Sequence, residues 1–312
     1  MLPVSQTSEP SARGSPAEEA ATIVAFMRGY SLEATRPTAA DLAALQAVAP
    51  AEAPLYLSAV PSHPSEELVA IAAAVRAAGF EPVPHLAARG FASREALDRL
   101  LARLAESAGI RRALLVAGDH ARPLGPYAAA IDVIESGLLP QHGVVEIGIA
   151  AYPGGHPRIS DYELARLVVA KVEAAAATGL AVHIVTQFGF DPGAILDWLE
   201  RLRGDGIDCP VRIGMAGPTS ATALLRYAKR CGVAASAQGL AQHVGLAKHV
   251  FSRAAPDGLI RTIAAACTDT ALGRVAPHLY SFGGLGATAR WAAAIAAGRI
   301  ELSSGGGFGV TP

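Results

Sequence analysis

Eight short apolar runs alternate with longer, alanine-rich helical patterns along almost the whole chain, and this alternation limits the fold more than any other feature. The strand-like runs are YSLEA (30–34), PLYLSAV (54–60), EPVPHLA (81–87), RRALLVAGD (111–119), VEIGIAAY (145–152), AVHIVTQFGF (181–190), PVRIGMAG (210–217) and PHLYSFG (277–283). Between them lie stretches such as SREALDRLLARLAESAG (93–109), with apolar residues at i, i+3, i+4 and i+7. Thr38, Ser65, Ser93, Ser160 and Thr219 stand where helices would be capped, and Gly79, Gly109, Gly179 and Gly232 where helices would end. Eight strand–helix units in 312 residues fit an α/β chain folded as a (β/α)8 TIM barrel. A doubly wound open sheet usually carries a glycine-rich dinucleotide loop after its first strand, and here that place holds TRPTAADL (35–42). The stretch 217–277 contains at least two helical patterns, LLRYAKRCG and LAKHVFSRAA…LIRTIAAACTD, so an extra helix is expected before the last strand.

No internal repeat or linker interrupts the pattern. A single barrel domain is expected over 21–302, with a disordered polar segment before it (1–20) and a glycine-rich flexible tail after it (303–312). The net charge is −1 and no basic block occurs, which argues against a nucleic-acid partner. Cys209, Cys231 and Cys267 are far apart and lack metal-ligand spacing, as in a reduced cytoplasmic protein. No uninterrupted apolar run reaches the roughly 18 residues of a membrane span, and the N-terminus lacks the basic and apolar regions of a signal peptide. A cytoplasmic protein off the membrane is expected, with a homo-oligomer left open.

A barrel places its chemistry at the C-terminal ends of its strands. Those ends carry Glu33, Ser58, His85, Asp119, Tyr152 with His156 after it, Gln187, and Tyr280. Each has an ordinary structural use: Glu33 as a solvated rim carboxylate, His85 as a core histidine, Asp119 as a helix cap or Asx turn, Gln187 as a partner for backbone groups. Together they read as one site. The chain has no HExxH, no paired CxxC, no GxSxG elbow and no Walker A loop, so no metal is expected. The glycines of SFGGLGATARW (281–291) lie where barrels often bind phosphate, and serve equally as a turn capping the last helix. A Glu and an Asp on different strands, with aromatic and amide groups nearby, suit proton transfer to a polar heteroaromatic ligand.

LLVAGD (114–119), IGIAAYPGGHP (147–157), IVTQFGFD (184–191) and PHLAAR (84–89) resemble, in order and spacing, the methylenetetrahydrofolate reductase family. The resemblance runs over roughly 30–285 and is strongest over 80–191. It implies a (β/α)8 barrel that binds FAD and reduces 5,10-methylenetetrahydrofolate to 5-methyltetrahydrofolate with NAD(P)H, or runs the reverse oxidation. Tyr152 and His156 then belong to the flavin wall. His85, Asp119, Tyr127, Ala128 and Lys171 match other flavin-holding positions, with Lys171 near the phosphates and Ser58 in place of a second-strand contact. Glu33 matches the general acid, a role that calls for a raised pKa. Asp119 matches the aspartate near both flavin and pterin, and Gln187 matches the pterin-binding glutamine. Tyr280 is assigned to the substrate side. The chain departs from the family at LEATRP (32–37) where FEFFPP is usual, at LSAVPSHP (57–64) where a TYGAGG-like turn is usual, at Gly189, and at SFGG after the last strand. The breadth of the resemblance includes proteins that work without tightly held FAD. The alternatives are a folate-binding C1- or methyl-transferase barrel without a redox step, and a non-catalytic folate- or flavin-binding protein.

Overall fold

The computed structural model describes residues 15–59, 64–231, 233 and 253–311. In chain order the first half runs α1 (Pro16–Met27), β1 (Ser31–Ala34), α2 (Ala39–Gln46), β2 (Pro54–Leu57), α3 (Ser65–Ala77), β3 (Glu81–Ala87), α4 (Arg94–Ala108), β4 (Arg112–Val116), α5 (Ala130–Glu135), α6 (Leu138–Gln141) and β5 (Glu146–Ala151). The second half runs α7 (Asp161–Ala177), β6 (Ala181–Thr186), α8 (Pro192–Gly204), β7 (Val211–Ala216), β8 (Thr219–Ser220), α9 (Ala221–Arg230), β9 (Arg253–Ala254), α10 (Asp257–Ala266), β10 (Val275–Tyr280), α11 (Leu285–Ala296), β11 (Ile300–Leu302) and β12 (Phe308–Val310). Strands β1 to β7 and β10 close into a parallel barrel in the order β1-β10-β7-β6-β5-β4-β3-β2. The expected (β/α)8 TIM barrel is the fold, and each of the eight strand-like runs supplies one barrel strand. Glu33 is in register with Tyr280 on one side and Tyr56 on the other.

The ends of the chain differ from the expectation. Helix α1 begins inside the stretch read as disordered (1–20), because Ser15 and Glu18 form a reciprocal capping box and Ile23, Phe26 and Met27 are buried. The stretch read as a flexible tail (303–312) carries β12, which pairs antiparallel with β11. Phe308 is buried, and Arg261 ties the hairpin to α1 by donating to Ser303 O, Gly307 O and both carboxylate oxygens of Glu19. Local polarity suggests looseness, but one apolar anchor and one guanidinium fork hold the hairpin down.

Most helix caps lie where the sequence places them. Thr38, Ser93 and Ser160 accept from backbone N–H groups of the first turn. Helix α3 is capped at Pro64 rather than Ser65, and α9 at Ser220 rather than Thr219, which is drawn into β8 opposite Ala254. Gly79, Gly109 and Gly179 have positive φ at helix ends, while Gly232 lies outside the described residues. Part of the second helical pattern in 217–277 also lies outside them, and its later portion forms α10.

Alanine-rich helices pack closely on the strands, with Ala72, Ala289 and Ala292 fully enclosed. The barrel interior is different. Tyr56, Val83, Leu114 and Val185 form a small apolar cluster, and Ser31, Glu33, His183 and His278 are buried beside it. Gly148 makes room for this filling, since a Cβ there would stand 2.8 Å from both His183 Nε2 and Leu114 Cδ1. Gly214 is needed for another reason. Strand β6 pairs with β7 at only two positions, then bends across Gly214, whose N–H donates to Thr186 Oγ1 at 2.8 Å. A side chain at Gly214 would overlap the backbone carbonyl of Thr186. Gly214→Ala should therefore lower stability by about 1–3 kcal/mol through overpacking against rigid backbone. Gly204→Ala, with open space around it and no positive φ, should stay within about 0.5 kcal/mol. Urea unfolding of the two variants measures the difference, and equal midpoints would contradict the close approach.

Candidate functional site

Glu33 is at the centre of the barrel mouth. It precedes the last residue of β1, and strand alternation turns it and Ser31 to the same face. Its side chain is only 9% exposed. Oε1 accepts from Ser58 Oγ at 2.6 Å. Oε2 is 3.2 Å from His278 Nε2 and 3.4 Å from His85 Nε2. Ser31 Oγ is 2.8 Å from the other ring nitrogen of His278, Nδ1. His278 is fully buried; His85 keeps some exposure, and its Nε2 has no aligned hydrogen-bond partner.

Burial alone would push the Glu33 carboxyl upward, but the charge of His85 and the hydrogen bond from His278 outweigh it, so Glu33 is held well below the usual carboxylate range. This differs from the raised pKa that the acid role calls for. Burial pushes His278 down, against the pull of Glu33. His278 is thus a neutral donor at pH 7, and Glu33 is its anionic acceptor.

A second polar chain lies deeper in the barrel. Tyr56 Oη is 2.7 Å from His183 Nε2, His183 Nδ1 is 2.8 Å from Glu146 Oε1, and Arg112 Nε donates to Glu146 Oε2 at 2.7 Å. The hydrogen bond to His183, followed by that to Arg112, lowers Glu146 to about 2 although its partial burial opposes this. Burial raises Tyr56 to about 12. The ring of Tyr56 meets His278 edge-on at 4.7 Å, which joins the two chains by packing rather than by a hydrogen bond.

The other sequence candidates divide into two groups. Tyr280 belongs to the mouth: its ring meets His278 at 5.0 Å, its hydroxyl donates to Thr186 O at 3.1 Å, and burial raises it well above its ordinary range. It also joins an aromatic wall with Phe188 and Phe282, and Phe282 stacks on Tyr227 at 4.1 Å. Asp119 is exposed after the turn at Gly118, close enough to help raise Tyr152, whose main cause is burial. His156 lies edge-on to Tyr152 at 5.0 Å and accepts from the backbone N–H of Arg158. Tyr152 also lines an outer groove between α7 and α8 with Val168 and Trp198, so it stands at the border of the mouth. Gln187 follows β6, with its Oε1 accepting from the N–H of Phe188 at 3.0 Å. Lys171 reaches inward from α7 and donates to Ala150 O at 3.2 Å, and burial lowers it to about 8.

Tyr127 and Ala128 are placed differently. Tyr127 is packed in the main core against Phe91. The N–H of Ala128 donates to Asp132 and its carbonyl accepts from Arg89 Nε, so both of its backbone polar groups are engaged. The glycines at 281–291 are explained by the chain itself. A Cβ on Gly283 would overlap the Pro218 carbonyl, and Gly284 (φ 102°) is the N-cap of α11. Among the described residues no group of three or more His, Cys, Asp and Glu is arranged to hold a metal ion, and no helix is long and apolar enough to cross a membrane.

Reading only strand ends misses Ser31, Tyr56, His183 and His278. The signal is present in the alternation of the strands, since Ser31 precedes Glu33 by two residues and His278 precedes Tyr280 by two.

Glu33, Glu146, His183 and His278 are all lowered in the fold. The unfolded chain therefore binds more protons at acid pH, and stability rises with pH over these windows. It should be full near pH 8, decline as pH falls through about 6.5 where unfolded histidines charge, and decline again below about 4.3 where unfolded carboxylates protonate. Urea midpoints at pH 8, 6 and 4.5 should fall in that order. A midpoint that stays flat or rises on acidification would contradict the pairing.

A model of the family described as "Methylenetetrahydrofolate reductase" matches residues 56–245, well over half of the 312 residues. Among solved structures, dihydropteroate synthase (FolP) from Thermus thermophilus is 18% identical with a TM-score of 0.43, covering 81% of this chain and 87% of that one. The same organism's dihydropteroate synthase in complex with 6HMPPP is 16% identical with a TM-score of 0.45 and the same coverage.

Proposed function

The chain belongs to the methylenetetrahydrofolate reductase family, and from that premise we propose that it reduces 5,10-methylenetetrahydrofolate to 5-methyltetrahydrofolate at the barrel mouth, with NAD(P)H as the source of hydride. The observation that carries this reading is the buried carboxylate of Glu33, in contact range of two histidines at the open end of the barrel. Such a centre, a carboxylate with imidazoles against it and screened from water, can pass a proton to one nitrogen of a bridged folate. Protonation there breaks the carbon–nitrogen bond of the bridge, the electron pair stays on the departing nitrogen, and the iminium left behind accepts hydride. Asp119, exposed at the rim, is suited to stabilise that cation as an anion. Gln187 offers an amide to the pterin edge once its Oε1 releases Phe188 N–H. The aromatic wall of Tyr280 and Phe282 gives a flat ligand an apolar face.

FAD fits at one end of this arrangement. Lys171 is a buried ammonium with a single carbonyl partner, and a diphosphate would complete its coordination. Tyr152 borders the same mouth, raised mainly by burial. The engaged backbone of Ala128 and the enclosed ring of Tyr127 fit less well. The residues that would hold FAD here are Lys171 and Tyr152, and the group would supply the hydride relay between NAD(P)H and the folate.

Two outcomes test the reading. Wild-type protein should oxidise NAD(P)H with menadione when FAD is supplied, and should form 5-methyltetrahydrofolate. Glu33→Gln should keep the menadione reaction and lose about 10²–10⁴-fold in folate reduction. Folate binding without any NAD(P)H oxidation would favour a C1- or methyl-transferase barrel instead. Lys171→Met tests the diphosphate site. Removing a buried ammonium lowered from 10.5 to about 8 should stabilise the free protein at pH 7, by up to about 3 kcal/mol, and weaken FAD binding at least about tenfold. Unchanged stability together with unchanged FAD affinity would rule that site out.

A further inference from the structure

Glu33 differs from a lone buried carboxylate because its two oxygens are treated differently. Oε1 has one hydroxyl donor, Ser58. Oε2 faces two imidazoles that are not equivalent. His278 is enclosed and has both ring nitrogens engaged, Nδ1 by Ser31 and Nε2 by Glu33. His85 is partly exposed, and its Nε2 approaches the same oxygen without an aligned hydrogen bond.

A neutral histidine has one N–H, so the partners fix where it lies. A carboxylate only accepts, which places the His278 proton on Nε2. Nδ1 is then bare and accepts the hydroxyl proton of Ser31. We propose that His278 is a positioning residue: Ser31 locks it in the tautomer with its proton on Nε2, and it holds Glu33 ionised and aimed at the mouth, which leaves His85 as the side chain through which the transferred proton enters. The proton moves from His85 Nε2 to Glu33 Oε2 and from there to the folate nitrogen, while the His278 proton stays in place. This rests on the folate-reducing function proposed above.

The remaining groups around the centre do not replace His85. Tyr56 and Tyr280 are phenols raised above their ordinary range and stay protonated at neutral pH. Arg212 on β7 bears on His278 as a fixed positive charge and disfavours its protonation. Cys231, after α9, is exposed, and its thiol is raised above its ordinary range. Ser58 also meets Glu33, but at Oε1 and through a hydroxyl that gives up no proton at neutral pH, so among the described residues His85 is the remaining partly exposed imidazole in contact with Glu33.

The test combines a spectroscopic titration with a kinetic split. Carbon-13 NMR of the Glu33 carboxyl, assigned by its loss in Glu33→Gln, should show an anion down to at least about pH 5 in the wild type. In His278→Leu the midpoint should rise by one pH unit or more. In His278→Gln, whose amide can donate to Oε2, it should return most of the way. Folate reduction should fall about 10–100-fold in His278→Leu and recover at least partly in His278→Gln, with menadione-linked NAD(P)H oxidation kept in both. In His85→Leu the Glu33 midpoint should also rise, because the charge of His85 is lost, and the folate step should slow. An unmoved Glu33 midpoint in His278→Leu, or equal damage in the Leu and Gln variants, would overturn the proposal. If the wild type reduces no folate, the functional reading fails, and the carboxyl titration still decides the role of His278.

Discussion

A barrel filled with polar groups is stable only if those groups find one another. Inside this barrel a carboxylate, two histidines, a tyrosine and a serine occupy space that aliphatic side chains fill in most barrels of this type. Each would cost several kcal/mol if left unpaired away from water. The cost is offset by two short chains, Ser31–His278–Glu33–Ser58 above and Tyr56–His183–Glu146–Arg112 below. The two meet at the edge-on contact of Tyr56 with His278. Glycine at 148 and 214 makes the geometry possible, once by giving space to a histidine and once by letting β6 bend over β7.

The same pairing separates stability from function. The lower chain reaches Arg112, at the start of β4. The upper chain opens onto the mouth beside the unaligned Nε2 of His85, and apart from it the Lys171 ammonium has the single carbonyl partner Ala150. Structural networks satisfy their members, and sites keep some unsatisfied until a ligand arrives. By that criterion the groups left open to a ligand are the unaligned Nε2 of His85 above Glu33 and the Lys171 ammonium beside β5.

The barrel was legible because its signal is long-range and repeated: eight apolar runs of the right length, separated by helical patterns with caps. Helix α1 and the β11–β12 hairpin were not, since each depends on partners distant in sequence, such as Arg261 with Glu19. In the site, the strand-end rule found Glu33, Ser58, His85 and Tyr280, which the structure brings into contact directly or through His278. It missed the layer beneath, where His278 contacts Glu33, because a histidine inside a strand looks the same in sequence whether it fills a core or meets a carboxylate. Tyr127 and Ala128 came from resemblance alone, and in the structure they contact Phe91, Asp132 and Arg89.

The central claim concerns where protons sit, and neutron diffraction from a deuterium-exchanged crystal near pH 7 observes them directly. The account predicts a deuteron on His278 Nε2 directed at Glu33, a Ser31 hydroxyl deuteron directed at Nδ1, and a bare Glu33 carboxylate. A deuteron on Glu33 with Nε2 of His278 bare would contradict it.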